Sequence, residues 1–163
     1  MSIAALWRGR PAPAYAPPAV TGRITVADEA TRTRLAFLGV TPEDLGTIAG
    51  WRDVVAPRMD ALVDAFYAKI AGQRETDAVL RAHTTVERQR PLVTRYVLQM
   101  FGALVDDAYV ANRRHVGQLH DRIDLDSHWF VAMFDVVRTH VMAAVHDAGA
   151  SPGDERRMRD AFD

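Results

Sequence analysis

An all-α fold is predicted by three observations. Apolar residues recur at helical spacing, cap and proline signals mark where helices start, and no stretch alternates apolar with polar as a half-buried strand does. Met59, Leu62, Val63, Phe66, Tyr67 and Ile70 fall at i, i+3, i+4, i+7, i+8 and i+11, and Val93, Tyr96, Val97, Met100, Phe101 and Leu104 repeat that template. Phe130, Met133, Phe134, Val137, Val141 and Ala144 form a third stripe. Between the second and third, Val116, Leu119 and His120 mark the inner face of a segment over residues 107–122, with Ile123 just beyond. At least four amphipathic helices therefore share one centre, and a bundle of about six to eight helices is the expected architecture.

Taken in order, residues 1–22 hold Pro11, Pro13, Pro17 and Pro18 and read as a flexible proline-rich leader, with Trp7 and Tyr15 free to dock elsewhere. The single domain is placed at 23–163. Thr41-Pro42-Glu43-Asp44 offers a threonine cap, a proline at the first helical position and acids in the first turn. Thr84 to Glu87 reads as a capping box. Asp126 or Ser127 caps the helix that opens near His128, and Ser151-Pro152-Gly153-Asp154 repeats the cap–proline–acid pattern. Pro57 and Pro91, inside otherwise helical stretches, each mark a boundary or a kink. The helix from Ser151 stops abruptly at residue 163, as expected of a domain whose natural chain continues or has been trimmed.

Composition narrows the function. The chain has 163 residues, 48 % hydrophobic and 25 % charged, values typical of one soluble domain. Its net charge of −1 gives no electrostatic footprint for nucleic acid or an anionic membrane. With no cysteine, disulfides, thiolate metal sites and cysteine nucleophiles are excluded. No apolar run is long enough to span a bilayer, and the start lacks the apolar stretch of a signal peptide, so a cytoplasmic location is expected. There is no Glu-x-x-His, no His-Glu-x-x-His, no phosphate-binding glycine loop and no nucleophile elbow. The close pairs Asp106/Asp107 and Asp124/Asp126 fall at helix starts and loops, where acids serve as caps.

Of six histidines, only His120 combines an apolar helix face with a place near a helix end. Tyr67 sits on an inner stripe, and Gln89 puts an amide one turn before Val93, where the stripe calls for an apolar residue. Singly, each has a plain structural reading: a packed core imidazole, a phenol bonded to a backbone carbonyl, an exposed amide ahead of a proline. Together they offer an imidazole from one helix and two donors from others. Phe66, Leu92, Val93, Tyr96, Met100, Leu119, Trp129 and Met133 stand available as an apolar lining. That combination suits haem: imidazole on one face of ferrous iron, an apolar shell, and donors for a gas bound opposite.

The stretch His115-Val116-Gly117-Gln118-Leu119-His120-Asp121-Arg122-Ile123-Asp124-Leu125-Asp126-Ser127-His128-Trp129-Phe130 resembles the proximal segment of globin-coupled sensors and protoglobins, His-x-Arg-Ile-Gly-Leu-x-x-x-Trp-Tyr. Val63-Asp64-Ala65-Phe66-Tyr67 resembles that family's distal Phe-Tyr pair, and Val86 through Asp107 its distal helix and exit. The likeness covers roughly residues 35–148. It implies a globin-like helical fold with an extra N-terminal helix, haem b (iron protoporphyrin IX) ligated by His120, and Tyr67 facing dioxygen or another diatomic gas. It also implies a homodimer through the last two helices and an output signalling domain, making the chain a sensor rather than an enzyme. Three departures stand out. Asp124 replaces the family's glycine, Phe130 its tyrosine, and Leu92 a threonine found in some relatives. Phe130 has no hydroxyl for the imidazole, so His120 is expected to turn its other nitrogen to something else, such as a backbone carbonyl. The competing readings are a haem-free globin-like dimerisation module and a haem enzyme; the lack of a distal histidine–arginine pair argues against a peroxidase.

Overall fold

The computed structural model describes residues 14–163. Part of the expected leader, with Trp7, therefore lies outside the described residues. Residues 14–22 run without regular structure along the body of the domain.

The chain then forms β1 (Arg23–Thr25), α1 (Glu29–Phe37), α2 (Pro42–Ala49), α3 (Arg52–Val55) and a 3₁₀ turn at Ala56–Arg58. After these come α4 (Met59–Ala71), α5 (Arg74–His83), α6 (Val86–Met100), β2 (Leu104–Asp106), α7 (Asp107–Arg122), α8 (Ser127–Asp147) and α9 (Pro152–Phe162). The all-α expectation holds, with one addition: β1 and β2 pair in parallel, Ile24 opposite Val105. Strands of three residues are too short to show alternation, which is why periodicity did not find them.

Local chemistry sets most boundaries. Thr41 caps α2 in a full capping box with Asp44. Asp126 caps α8 by accepting from the His128 amide at 3.0 Å, and the Ser151 hydroxyl accepts from the Asp154 amide at 3.1 Å to start α9. The capping box expected from Thr84 is not formed. Thr84 closes α5, and Thr85 caps α6 by accepting from the Arg88 amide. Two adjacent threonines offer the same hydroxyl, and the extended backbone of Thr84 joins two helices with no longer loop. Pro57 falls in the 3₁₀ turn between α3 and α4, but Pro91 sits inside α6 and ends nothing.

The main core joins α2, α3, α4, α6, α8 and α9 around Trp51, Val55, Val63, Val97, Phe101, Val141, Val145 and Met158, each almost completely buried. Burying side chains of this size stabilises the fold by about 1.5–3 kcal/mol each. A smaller cluster of Val26, Leu45 and Val105 ties β1 and β2 to α2. Against this frame α6 packs on α4, and α7 packs on β2 and α8, with little direct contact between α6 and α7. That separation positions the candidate site.

Candidate functional site

His120 lies in the last turn of α7, and its imidazole is held from both directions. Nδ1 stands 2.9 Å from the Val116 carbonyl oxygen. A carbonyl only accepts, so Nδ1 carries the proton and Nε2 keeps its lone pair, the form in which imidazole ligates a metal. The backbone is fixed as well. The Leu125 amide donates to the His120 carbonyl at 3.0 Å and the Asp124 amide to the Asp121 carbonyl at 3.1 Å, a Schellman closure of α7. That closure needs a left-handed residue, and Asp124 supplies it with φ of 56°. The loop thus keeps the turn a glycine would make, although aspartate occupies it. The Phe130 ring packs against the imidazole, tilted, at 4.9 Å between ring centroids.

A cavity of about 300 Å³ opens where α6, α7 and α8 meet, lined by Tyr96, Met100, Tyr109, Arg113, Gly117, Phe130 and Phe134. Sequence reasoning named Tyr96 and Met100 here but missed Tyr109, Arg113 and Gly117. Their signal was available: Arg113 and Gly117 precede His120 at helical spacing on the same face. The Arg113 guanidinium lies 3.7 Å from the Tyr96 ring centroid and 4.4 Å from that of Tyr109. It donates to the Tyr96 carbonyl at 2.8 Å and to the Gln99 side chain at 3.2 Å, bridging α7 to α6 across the gap.

The other expected residues divide. Tyr67 is buried on α4 beside Phe66, ring centroids 5.4 Å apart. Its hydroxyl has no hydrogen-bond partner among the described residues, and burial pushes its pKa up to about 12. The phenol is thus a neutral donor across the physiological range. Phe66, Val93 and Met100 pack partly buried against the main core. Gln89 turns toward its own helix start, donating from Nε2 to the Thr84 hydroxyl at 2.9 Å. Leu92 and Leu119 stand 50 % and 43 % exposed. Met133 and Trp129 are half-buried, and the indole nitrogen of Trp129 is sealed from solvent without a partner.

These features together show which group the residues suit. Among the described residues no cluster of three or more His, Asp or Glu could hold a bare ion. α7 is a sixteen-residue helix without one buried residue, and α6 buries only Val97. Their facing apolar side chains lack the cover that core helices have. An imidazole whose Nε2 has no partner among the described residues, the poorly covered apolar side chains of α6 and α7, and a buried phenol on α4 are each groups that suit an iron porphyrin.

The arrangement of these helices is that of a globin-type domain. The globin domain of the Geobacter sulfurreducens globin-coupled sensor shares this fold, with a TM-score of 0.72 over 80 % of this chain and 86 % of that one at 22 % identity. The chain belongs to the Protoglobin family, whose model matches residues 27–163. The Halobacterium salinarum heme-based aerotactic transducer HemAT is 25 % identical over 130 residues, covering 79 % of this chain. That alignment takes in 27 % of the transducer, so the chain spans about a quarter of the length of this curated relative.

Proposed function

We propose that this chain is a haem-based gas-sensing domain, with haem b held by His120 and dioxygen or another diatomic gas bound opposite. The observation that carries the proposal is the His120 imidazole, whose Nδ1–H is committed to the Val116 carbonyl and whose Nε2 is left free. Ferrous porphyrin iron supplies reversible coordination of a diatomic ligand. The protein's part is binding, orientation and exclusion of water. His120 Nε2 is the protein ligand, and the Val116 carbonyl sets its tautomer and aim. The half-buried faces of α6, α7 and α8, including Val93, Tyr96, Met100, Trp129 and Met133, supply apolar walls. Tyr67, a buried phenol that keeps its proton, would donate a hydrogen bond to the gas held by that group. Gln89 is a secondary donor, available once it releases Thr84.

Signalling follows from where the ligand is mounted. A displacement of His120 is carried by α7, which packs on α8, and α8 packs in turn on α9. A homodimer through α8 and α9 would expose that displacement to a partner subunit and to an output domain, biasing whichever state binds the gas more tightly. No described helix is long and apolar enough to cross a membrane. Titrating the purified protein with haemin and following the Soret band tests the cofactor reading. An endpoint of one haem per chain is expected; a spectrum indistinguishable from free haemin favours the haem-free dimerisation module.

A further inference from the structure

Residues 14–27 do not trail away from the domain. They trace a continuous path between two regions far apart in sequence. At one end the Tyr15 amide donates to the Ala148 carbonyl at 2.9 Å, in the junction between α8 and α9. The Tyr15 hydroxyl donates to the Gly50 carbonyl at 3.0 Å, and its ring packs on the buried Trp51 at 5.3 Å. At the other end the Arg23 amide donates to the Ala103 carbonyl at 2.8 Å, and β1 pairs with β2 in the connection between α6 and α7. The Ala27 amide then donates to the Asp107 carboxylate at 3.0 Å, on the first residue of the helix that carries His120.

Between these ends the segment lies directly on the backbone of α2. A Cβ added at Gly46 would stand 2.1 Å from the Val20 carbonyl oxygen, and one at Gly50 2.9 Å from the Pro18 carbonyl oxygen. A Cβ at Gly22 would meet the Pro42 carbonyl oxygen at 2.1 Å. None of these contacts admits a side chain, so Gly46 and Gly50, one turn apart on α2 and its cap, form a fitted seat, and Gly22 lets the strap close onto it. Two glycines in an eight-residue helix and its cap weaken that helix. Close backbone approach gives them a structural purpose.

We infer that residues 14–27 act as a strap coupling the α8–α9 junction to the α6–α7 connection, so that loosening one end frees the other. Both ends are anchored by backbone hydrogen bonds, and the middle is held by steric fit. A disturbance at Tyr15 is therefore passed along the extended chain rather than absorbed by side-chain rearrangement. The strap gives the start of α7 a second connection to the α8–α9 junction, beside the packing of α7 on α8. It does not depend on the cofactor assignment.

Amide hydrogen exchange on the full chain without added ligand tests it, using two variants. Tyr15→Ala removes the ring and hydroxyl that seat this end on Trp51 and Gly50, leaving the Ala148 bond held by the backbone alone, and touches nothing at β2. Exchange at Leu104–Asp106 and the first turn of α7 should rise about tenfold, with the amides of α4 unchanged. Gly46→Ala blocks the seat from the middle, and exchange should rise at both ends. The inference is overturned if Tyr15→Ala loosens only residues 14–18. It is equally overturned if Gly46→Ala leaves the strap as protected as in the parent, because the seat then does not hold it. Should Tyr15→Ala unfold the domain, the Gly46→Ala outcome decides alone.

Discussion

The Nδ1 of His120 and the carbonyl oxygen of Val116 stand 2.9 Å apart, one turn from each other on α7. The bond fixes the tautomer, aims Nε2 away from its own helix, and does so without any side chain that evolution or mutagenesis could remove. It also leaves the imidazole with no need of a hydroxyl from position 130, which is phenylalanine here. Since the Nδ1 proton already has its acceptor, Phe130→Tyr should retain haem. It should change the oxygen dissociation rate by much less than the roughly 10-fold effect of stripping an outer partner from a ligating histidine. Stopped-flow oxygen release on the two proteins checks this; a change of tenfold or more would show that the Val116 bond is not the one that tunes the imidazole.

Tyr67 has no hydrogen-bond partner among the described residues and a pKa pushed up to about 12 by burial. Tyr67→Phe should therefore leave haem content intact and speed oxygen release by about tenfold, the equivalent of one hydrogen bond of about 1.4 kcal/mol. An unchanged release rate refutes the donor role.

The same phenol makes an alkaline prediction. Its folded pKa lies above the ordinary value of 10, so between pH 10 and about 12 the unfolded chain holds fewer protons than the folded one. Its contribution to stability is complete below pH 10 and is lost as pH rises through about 12. Urea midpoints across that range should fall less steeply for Tyr67→Phe than for the parent. Parallel curves would mean that Tyr67 titrates normally.

Asp124 closes α7 in a left-handed conformation, φ 56°. Asp124→Gly relieves that strain at some cost in unfolded-state entropy, for a net gain of about 0.5 kcal/mol. Asp124→Ala, a residue that adopts the left-handed region less readily than aspartate, should lose about 1 kcal/mol. Urea denaturation of the three proteins checks the order Gly above Asp above Ala.

Much of this was legible in the sequence, for identifiable reasons. Caps at Thr41, Asp126 and Ser151 are local chemistry, readable wherever an oxygen-bearing side chain precedes an amphipathic run. The stripe through Met59, Leu62 and Val63 announced the core because all three are buried. Where two residues offered the same chemistry, as Thr84 and Thr85 do, composition did not choose between them. The β1–β2 pairing joins residues 81 positions apart through strands of three, which no local period reveals. Gln89 was placed on the right helix, but its amide found a hydroxyl on Thr84, a side-chain choice that spacing does not encode. The bridge from Arg113 to Tyr96 depends on how α6 and α7 sit across the cavity, a tertiary fact. The seat on α2 is made by what Gly46 and Gly50 lack, which in a sequence reads only as two weak helix positions.

The central claim, that His120 ligates a haem open to gas, is tested most directly by one visible absorption experiment. Spectra of the ferrous protein and of His120→Ala are recorded before and after exposure to oxygen. An intense Soret band is expected in the parent, shifting reversibly with oxygen and lost or grossly altered in His120→Ala. A parent protein that stays colourless after haem reconstitution, or a His120→Ala spectrum identical to the parent's, would contradict it.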